Sequence, residues 1–547
     1  MDKTSRFTIL QLTRMGDLVQ TYQACLDFKE QYPDVHLTLV AREKFATPLM
    51  FLLENVFDNI IKITDNMFSS TGDIESCVEE TKKLVNVITK EEIDVLINFS
   101  FCETSNYLSS CLKSKNRLGT YINPYNEVTV QDQWSQVVHA MTQRGPYSPY
   151  ALVDIYKNVL GITPTITNLP NSDLSQKILA VHPFASHEKK QWKSQKWTEI
   201  IYSFLKDHPE YKVRVFGAQN EVEKSNKITN EPILKKFSDR IVSFTGKLSV
   251  QETYKKIQEC SHFIGHDSLL GHLAKVASLP TLTIALGTVR EIETIPYGEN
   301  SFVLSPKTNC FPCFPDTSCN YFQCHADLSY QAVISALNQF VSSDHITTKN
   351  ISCSTSQFHL NSVNIYKSEF SNTNWLYLKE LSGNQMNLRD VVKTFIRVAL
   401  SYKFEEKEEQ FPIPKLSESQ IQKLHQLSDT TKQLYELCEF GKKYSRYILT
   451  ELASQAPRVE FIKEHSNKIH EIDKLMDLIR KTQPDLASII EYYKVTKANL
   501  AGDSLVEITE SSYLVYNDNA SVCSILFDLI SSTVNNQKIK SKASTSL

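Results

Sequence analysis

Strand-like and helix-like segments alternate up to about residue 345, and this alternation is the feature that most limits the possible folds. In the first part, the apolar runs Phe7–Leu12, His36–Val40 and Ile93–Asn98 are separated by helical patterns. The same order returns between Ile178–His182 and Thr281–Ala285. Repeated βαβ order predicts a parallel sheet covered by helices. Two such units predict an α/β protein with two Rossmann-like domains facing across a cleft.

The bulk properties of the chain exclude several classes of function. With 547 residues the chain is too long for one core, so several domains are expected. A net charge of −3 gives no overall basic field for nucleic acid. No apolar run approaches the ~18 residues of a membrane-spanning helix, and the polar start is unlike a signal peptide. Because the 12 cysteines are mostly scattered, a reducing compartment and thus the cytoplasm are expected.

Two changes in composition divide the chain further. Thr163–Gln176 is rich in Pro, Asn, Ser and Thr and reads as a connection, and the charged stretch Lys403–Gln410 has the composition of a linker. Beyond it, apolar residues recur every three or four positions with a break near Pro457, which predicts amphipathic helices. The predicted domains are two Rossmann-like domains at 1–165 and 176–345, a hairpin and helix connection at 350–402, and a helical module at 411–533.

Polar turns follow several predicted strands, at the edge where open α/β folds bind ligands. Arg14–Asp17 (RMGD) follows the first strand, and its glycine lets the backbone approach a ligand, although Asp17 is equally suited to capping a helix. His182–Trp192 (HPFASHEKKQW) offers lysines that can hold a phosphate, although a solvated basic loop has the same pattern. Gly217–Glu221 (GAQNE) ends with a carboxylate suited to ribose hydroxyls.

The segment Gly265–Ala274 (GHDSLLGHLA) is the most informative of these turns. Here a strand runs through Asp-Ser into a helix. The free N–H groups and the positive end of the helix dipole then lie at the cleft, which suits a diphosphate. Asp-Ser alone is also an ordinary helix cap. Neither G-x-G-x-x-G nor G-x-x-x-x-G-K-[ST] occurs, which disfavours a dehydrogenase or a P-loop protein.

In order and spacing, these motifs resemble the ADP-heptose:lipopolysaccharide heptosyltransferases, the family nine glycosyltransferases of GT-B fold. The family's R-x-G-D, H-P-x-A-S, K-x-W, T-G-K-x-S and G-x-D-S-x-x-x-H-L-A correspond to Arg14–Asp17, His182–Ser186, Lys190–Trp192, Thr245–Ser249 and Gly265–Ala274. The resemblance covers roughly residues 6–340. It implies a bacterial cytoplasmic enzyme that moves heptose from ADP-heptose, with inversion, to a lipopolysaccharide core or another glycan. Peripheral contact with the inner membrane is an open alternative.

The resemblance also implies a role for each matched residue. The first domain would hold the acceptor and the second the nucleotide sugar. Asp17 would be the general base that deprotonates the acceptor hydroxyl. The donor-binding residues would be Ser186 and Lys190 at the diphosphate, Glu221 at the ribose, Leu248 near the adenine, Asp267 at sugar hydroxyls, and the backbone of Ser268, Leu269, Gly271 and His272 at the phosphates. No D-x-D occurs, in agreement with the family's metal-independent catalysis, so no cofactor is expected for the reaction.

Two features leave alternatives open. Leu269 replaces the glycine of the family's D-S-G or D-T-G, which could narrow the site or force another backbone conformation, so the donor sugar stays open. Four cysteines close together can form a tetrahedral site for structural zinc or iron, and similar loops bind iron in the related autotransporter heptosyltransferases. Free thiols, or one disulfide under oxidising conditions, are the equal alternative. These cysteines are Cys310, Cys313, Cys319 and Cys324.

Two other classes of function share the predicted fold. A sugar-nucleotide epimerase would need a second acid or base in the cleft and no acceptor groove. A non-catalytic protein could bind a nucleotide sugar and act through its helical module. For the helical module itself, the predicted role is association, including a homo-oligomer, and the alternative is a cap packed on the chain's own catalytic half.

Overall fold

The computed structural model describes residues 5–64, 74–144, 147–162, 175–314, 317–342, 363–381, 387–405, 411 and 416–544. The chain divides into two compact units. The first consists of Met1–Tyr121, Ala151–Phe370 and Asn374–Asn384, and the second of Ile122–Tyr150, Ser371–Thr373 and Gln385–Leu547. Most of the predicted connection at 163–176 and the end of the predicted linker, 406–410, lie outside the described residues.

The first unit begins with a parallel sheet whose strands are almost continuous apolar runs, as expected for strands covered on both faces. The strands are β1 (Arg6–Gln11), β2 (His36–Arg42), β3 (Asn59–Ile63), β4 (Val95–Asn98) and β5 (Asn116–Ile122), in the order β3-β2-β1-β4-β5. The helices between them are α1 (Met15–Gln31), α2 (Glu43–Ala46), α3 (Met50–Leu53), α4 (Ile74–Ile88) and α5 (Glu103–Cys111). Because the strand order reverses beside β1, the turn after β1 lies at the switch point where such sheets bind ligands.

The second sheet of this unit is also built mainly from parallel strands. Its strands are β7 (Ile178–His182), β8 (Lys212–Val215), β9 (Ile241–Ser243), β10 (His262–His266), β11 (Thr281–Ile284), β12 (Ser301–Pro306), β13 (Val363–Phe370) and β14 (Leu376–Glu380). They lie in the order β14-β13-β12-β11-β10-β7-β8-β9. The hairpin predicted within 358–382 is β13 and β14, which extends the sheet antiparallel beside β12. The switch point falls between β7 and β10, where His182 is paired with Gly265.

The helices of this second half alternate with its strands. They are α7 (Leu152–Val159), α8 (Ser194–Asp207), α9 (Val222–Thr229), α10 (Val250–Gln258), α11 (Leu269–Val276), α12 (Glu291–Thr294), α13 (Gln323–Asp327) and α14 (Tyr330–Ser342). The helical pattern that follows His36–Val40 is not one continuous helix but is divided into α2, a 3-10 turn at Thr47–Leu49 and α3. Pro48 explains the division, because it lacks the N–H group that a continuous α-helix needs.

The second unit is mainly helical. Its elements are a short strand β6 (Val128–Val130), α6 (Gln133–Val137), a π-helix (Val138–Arg144), α15 (Leu388–Glu405), α16 (Glu418–Leu452), α17 (Val459–Thr482), α18 (Ala487–Ala498) and α19 (Leu505–Ser544). The predicted apolar stripe of α16 is buried, namely Leu424, Leu427, Thr431, Leu434 and Cys438. The two sheets and this helical region confirm the predicted fold class. In the described part of the chain, no helix has the length and apolar character to span a membrane.

Helices α16 and α19 form the longest pairing of the second unit. At one end of the pair the hydroxyl oxygens of Ser428 and Ser531 lie 2.7 Å apart. Towards the other end Arg446 donates to the Tyr513 hydroxyl at 2.6 Å, so the two helices run antiparallel. Between these contacts the Tyr516 ring packs on Gly441, where a Cβ atom would lie only 2.4 Å from the ring. A glycine is therefore required for this close approach.

The segment 122–150 packs within the helical unit although it lies between two elements of the first unit in sequence. The Tyr147 carbonyl accepts a hydrogen bond from the Ser488 hydroxyl at 2.9 Å. The Tyr150 hydroxyl donates to the Arg397 carbonyl at 3.1 Å. In addition, the Val130 amide donates to the Asn499 side chain at 2.6 Å. The helical unit is thus built from two separate parts of the sequence.

Candidate active site

A cleft of about 1180 Å³ lies in the first unit, and residues from the carboxyl edges of both sheets line it. The predicted site residues that line it are Asp17, Ser186, Lys190, Glu221, Leu248, Asp267, Ser268, Leu269 and His272. Gly271 is not among the lining residues. It is buried in α11, and a Cβ atom there would lie 3.3 Å from Pro296, so its small size serves packing. The fold therefore brings motifs that are distant in sequence together at one cleft.

Asp17 lies in the first turn of α1 and has two roles. Its Oδ2 atom accepts the Arg14 amide at 3.0 Å, so the residue does cap the helix. Its side chain also lines the cleft, and its Oδ1 atom accepts no hydrogen bond from the described part of the chain. The preceding Gly16 faces the His272 ring, and because a Cβ atom there would make ordinary contact with this ring at 3.5 Å, space alone does not require a glycine. One carboxylate oxygen is thus available to a ligand.

Behind this turn lies a buried polar frame that the sequence analysis missed. The Gln11 side chain is fully buried and donates to the Thr21 hydroxyl at 3.0 Å. Its carbonyl oxygen accepts the Thr13 amide at 3.3 Å and also the Thr13 hydroxyl. The sequence signal for this group of residues was Gln11, a glutamine at the end of the otherwise apolar strand β1, because a buried side-chain amide needs hydrogen-bond partners.

On the opposite wall, Lys190 and Asp267 form an ion pair. The Lys190 Nζ atom lies 2.7 Å from Asp267 Oδ2, and the two side chains are only 16% and 10% exposed. Burial by itself raises the pKa of Asp267. The charge and the hydrogen bond of Lys190 outweigh this effect and lower the pKa, and His272 and Thr294 contribute in the same direction. Asp267 is therefore ionised at neutral pH.

His182 joins the ribose and phosphate parts of the predicted site, a role that the sequence analysis did not assign. Its Nδ1 atom is 2.9 Å from the Ser268 hydroxyl, and its Nε2 atom is 3.8 Å from Glu221 Oε2. Glu221 also accepts the Ala218 amide at 2.6 Å. Burial opposes ionisation of Glu221, but the nearby His182 ring and the hydrogen bond from the Ala218 amide outweigh it and lower the pKa of Glu221. The imidazole thereby connects two turns that follow different strands.

The start of α11 is aimed at the cleft. Leu269 is the first residue of this helix, after the extended Ser268. Leu269 is not among the described residues with left-handed backbone, so it replaces the family's glycine without strain. The nearby His272 is buried, which lowers the pKa of its ring against the opposing effects of Asp267 and Asp17. Its Nδ1 atom has no hydrogen-bond partner in the described part of the chain.

One family model matches part of the first unit. Residues 157–321 match the model of glycosyltransferase family 9 (heptosyltransferase). These residues, called here the family 9 segment, are similar to that family and make up less than a third of the chain. The family 9 segment contains Ser186, Lys190, Glu221 and Asp267, whereas Asp17 lies outside it. A search among curated proteins gives no significant match.

Several solved structures are similar to this chain. A family 9 glycosyl transferase from Veillonella parvula is 17% identical, with a TM-score of 0.46, and the match covers 62% of this chain and 98% of the other. E. coli heptosyltransferase WaaC with ADP is 15% identical, with a TM-score of 0.45 and coverages of 61% and 99%. The iron-containing dodecameric glycosyltransferase TibC of enterotoxigenic E. coli is 14% identical, with a TM-score of 0.35 and coverages of 62% and 77%.

A buried histidine holds the turn that contains Trp192. His266 Nε2 accepts the Trp192 amide at 3.0 Å and the Trp197 indole N–H at 3.2 Å. Its Nδ1 atom lies 3.2 Å from the Ile284 carbonyl, so Nδ1 carries the hydrogen. Burial lowers the pKa of His266 to about 3. The ring is therefore neutral at physiological pH and acts as a fixed acceptor that orients the K-x-W turn.

The four cysteines of the predicted metal site lie in one loop but do not form a ligand set. Among the described residues, no group of three or more His, Cys, Asp or Glu side chains is placed to hold a metal ion. Cys324 is buried, Cys313 and Cys319 are half-buried, and Cys310 is exposed. The thiols are close enough for their charges to raise the pKa of Cys313, after the larger effect of burial. As arranged here they do not fit a metal, and metal analysis of protein purified without chelator tests the prediction.

Proposed function

We propose that this chain is an inverting glycosyltransferase that transfers heptose from ADP-heptose to a hydroxyl group of a lipopolysaccharide core or a similar glycan. The observation that carries the proposal is the composition of the cleft. A carboxylate, Asp17, lies on one wall, and the Lys190–Asp267 pair and the start of α11 lie on the other. The family match over 157–321 supports the heptose donor. A bacterial cytoplasmic location, at the inner face of the membrane, belongs to the same proposal.

The residues suggest how each bond changes. Asp17 accepts the proton of the acceptor hydroxyl, whose oxygen attacks the anomeric carbon of the donor. The bond between that carbon and the diphosphate breaks, and the configuration inverts. Deprotonation by a well-placed base contributes on the order of 10²–10⁴-fold to such rates. Lys190 and the N–H groups at the start of α11 stabilise the charge on the departing diphosphate.

The other predicted donor-binding residues also line the cleft. Glu221, whose carboxylate lies 3.8 Å from the His182 ring, would accept hydrogen bonds from hydroxyl groups of the ribose. Leu248 lines the same end of the cleft, where the adenine would lie. Asp267 would bind hydroxyl groups of the transferred sugar. The Leu269 side chain lines the cleft beside the proposed phosphate position, so it limits the size of the donor there.

A donor screen tests this proposal. The protein is incubated with ADP-heptose, GDP-sugars and UDP-sugars, with and without a glycan acceptor, and nucleotide release is measured. We expect release of ADP that depends on the acceptor. Isomerisation of a nucleotide sugar without an acceptor would instead identify an epimerase. Binding of a nucleotide sugar without turnover in any mixture would identify a non-catalytic protein.

A further inference from the structure

The cysteine-containing loop packs against the turn that carries Lys190. His325, at the end of this loop in α13, has its Nε2 atom 2.7 Å from the carbonyl oxygen of Lys189. Because a carbonyl only accepts, this ring nitrogen must carry the hydrogen. The Lys189 ammonium in turn donates to the Thr317 carbonyl of the same loop. The residue before Lys190 is thus held at its backbone and at its side chain.

The position of the Lys189 carbonyl is restricted from a second side. Gly287 has a left-handed φ of +60°, and a Cβ atom there would lie 2.4 Å from the Lys189 oxygen. Only glycine leaves room for this approach. Gly287 is also tied to the cysteine loop, because its carbonyl accepts the Cys313 amide at 2.8 Å. Two independent contacts therefore fix the same backbone atom.

Other contacts hold His325 in place, so its hydrogen bond can fix the position of the Lys189 carbonyl. Its amide donates to the Phe322 carbonyl at 2.9 Å, and its ring meets the Phe322 ring edge-on at 5.0 Å. Its own carbonyl accepts a hydrogen bond from the Lys196 side chain. On the other side of the contact, the Lys190 amide donates to the His187 carbonyl at 3.0 Å. The chain of contacts thus runs from a fixed ring to the turn of Lys190.

We propose that His325 is a positioning residue for Lys190 and thereby sets the affinity for the nucleoside diphosphate donor. This inference rests on the proposed function of Lys190. The hydrogen bond to Lys189 holds the turn so that the Lys190 ammonium stays where a diphosphate can reach it. The effect falls on binding of the donor, because His325 does not line the cleft and touches no reacting atom.

The test compares three substitutions in the full chain. H325F keeps the ring and its contact with Phe322 but lacks the donor, whereas H325Q keeps an N–H group. Y321A is the matched control, because the Tyr321 side chain is 92% exposed on the same loop. ADP affinity is measured by calorimetry, and the donor KM and kcat by nucleotide release. We expect H325F to weaken ADP binding and raise KM by roughly three- to tenfold with little change in kcat, since one hydrogen bond is lost.

A double substitution separates positioning from general stability. If His325 acts through Lys190, H325F has no further effect on ADP affinity in the K190A background. Rescue by H325Q and unchanged binding in Y321A complete the expected pattern. Equal losses from H325F with and without Lys190, or unchanged affinity in H325F, would overturn the inference.

The melting temperature of each variant is recorded, and H325L replaces H325F if the latter does not fold. The effect expected of H325L on ADP affinity is the same, because leucine also lacks a donor. If the wild-type chain binds no ADP or ADP-sugar at all, the proposed function fails first. That outcome is distinct from the failure of this inference, which requires a wild-type chain that does bind.

Discussion

The Lys190 Nζ atom and the Asp267 Oδ2 atom, 77 positions apart in sequence, meet at 2.7 Å in the wall of the cleft. Because both side chains are mostly buried, water screens their attraction less than it would on the surface. A diphosphate that binds here competes with Asp267 for the Lys190 ammonium. The pair therefore connects the proposed phosphate contact to the proposed sugar contact.

Removing the cation of this pair should weaken donor binding. In K190A we expect ADP affinity to fall by roughly 10–100-fold, since a charge-assisted hydrogen bond to a phosphate is lost. The donor KM should rise more than kcat falls, because the contact exists before the reaction as well as during it. Calorimetry and steady-state kinetics measure both. K193A, at an exposed lysine just after the same turn, is the control that should bind ADP normally.

The same substitution should change the pH dependence of donor binding. In the wild type, Lys190 lowers the pKa of Asp267, so the ion pair is complete above the ordinary Asp range and is lost as the pH falls through that lowered pKa. Without Lys190, burial is the main remaining effect and raises the pKa. We therefore expect the acidic limit of ADP-heptose binding, which uses the Asp267 carboxylate at the sugar hydroxyls, to move to higher pH in K190A. An unchanged limit would contradict the assigned cause of the shift.

Replacing Asp17 tests the proposed base. D17N keeps an oxygen that can accept the Arg14 amide, so the start of α1 and ADP binding should be preserved. Transfer should fall by on the order of 10²-fold or more, because an amide cannot take the acceptor's proton. D34N, at an exposed aspartate beyond the end of α1, serves as the control. Turnover of D17N at the wild-type rate would remove Asp17 from this role.

The wild type and H266L should differ in stability by an amount that depends on pH. In H266L the Trp192 amide and the Trp197 indole lose their acceptor, which should cost about 2–4 kcal/mol near neutral pH. Below pH 6.5 His266 binds a proton in the unfolded wild type, whereas in the folded state it stays neutral down to about pH 3. The free energy of unfolding of the wild type therefore decreases as the pH falls. The difference between wild type and variant should therefore shrink, by up to ~1.4 kcal/mol per pH unit. Denaturant unfolding at pH 7.5 and 5 measures it, and an equal difference at both would contradict the neutral histidine.

Truncation tests the role of the helices. We propose that the helical unit serves association, and light scattering of the full chain tests for a homo-oligomer. A chain cut after residue 405 keeps 122–150 and α15 but loses their partners, including Asn499 and the Asp518 carboxylate that pairs with Lys403 at 2.7 Å. We therefore expect this truncated chain to be poorly soluble. A soluble, active core that no longer self-associates would show instead that the helices are separable.

Much of the fold and part of the candidate site could be predicted from the residues alone. The two βαβ series and the β13–β14 hairpin follow from local patterns of apolar residues and turns, which depend only on neighbours in sequence. Asp17 and Asp267 were each predicted at the carboxyl edge of a parallel sheet, where such folds bind ligands, and the resemblance implied that both edges face one cleft. The metal site was a weaker inference, because cysteine spacing does not determine whether the thiols converge.

The remaining features depend on contacts between distant parts of the chain. The pairing of Lys190 with Asp267, the bridge of His182 to Glu221, and the contact of His325 with Lys189 have no signature in local sequence. The same holds for the segment 122–150, whose packing partners come from the C-terminal helices. Local propensity determined the elements and the edge where the site forms. Only the tertiary structure decided which charges and hydrogen-bonding groups meet there, because partners 39 to 369 positions apart are brought together by packing of the whole core.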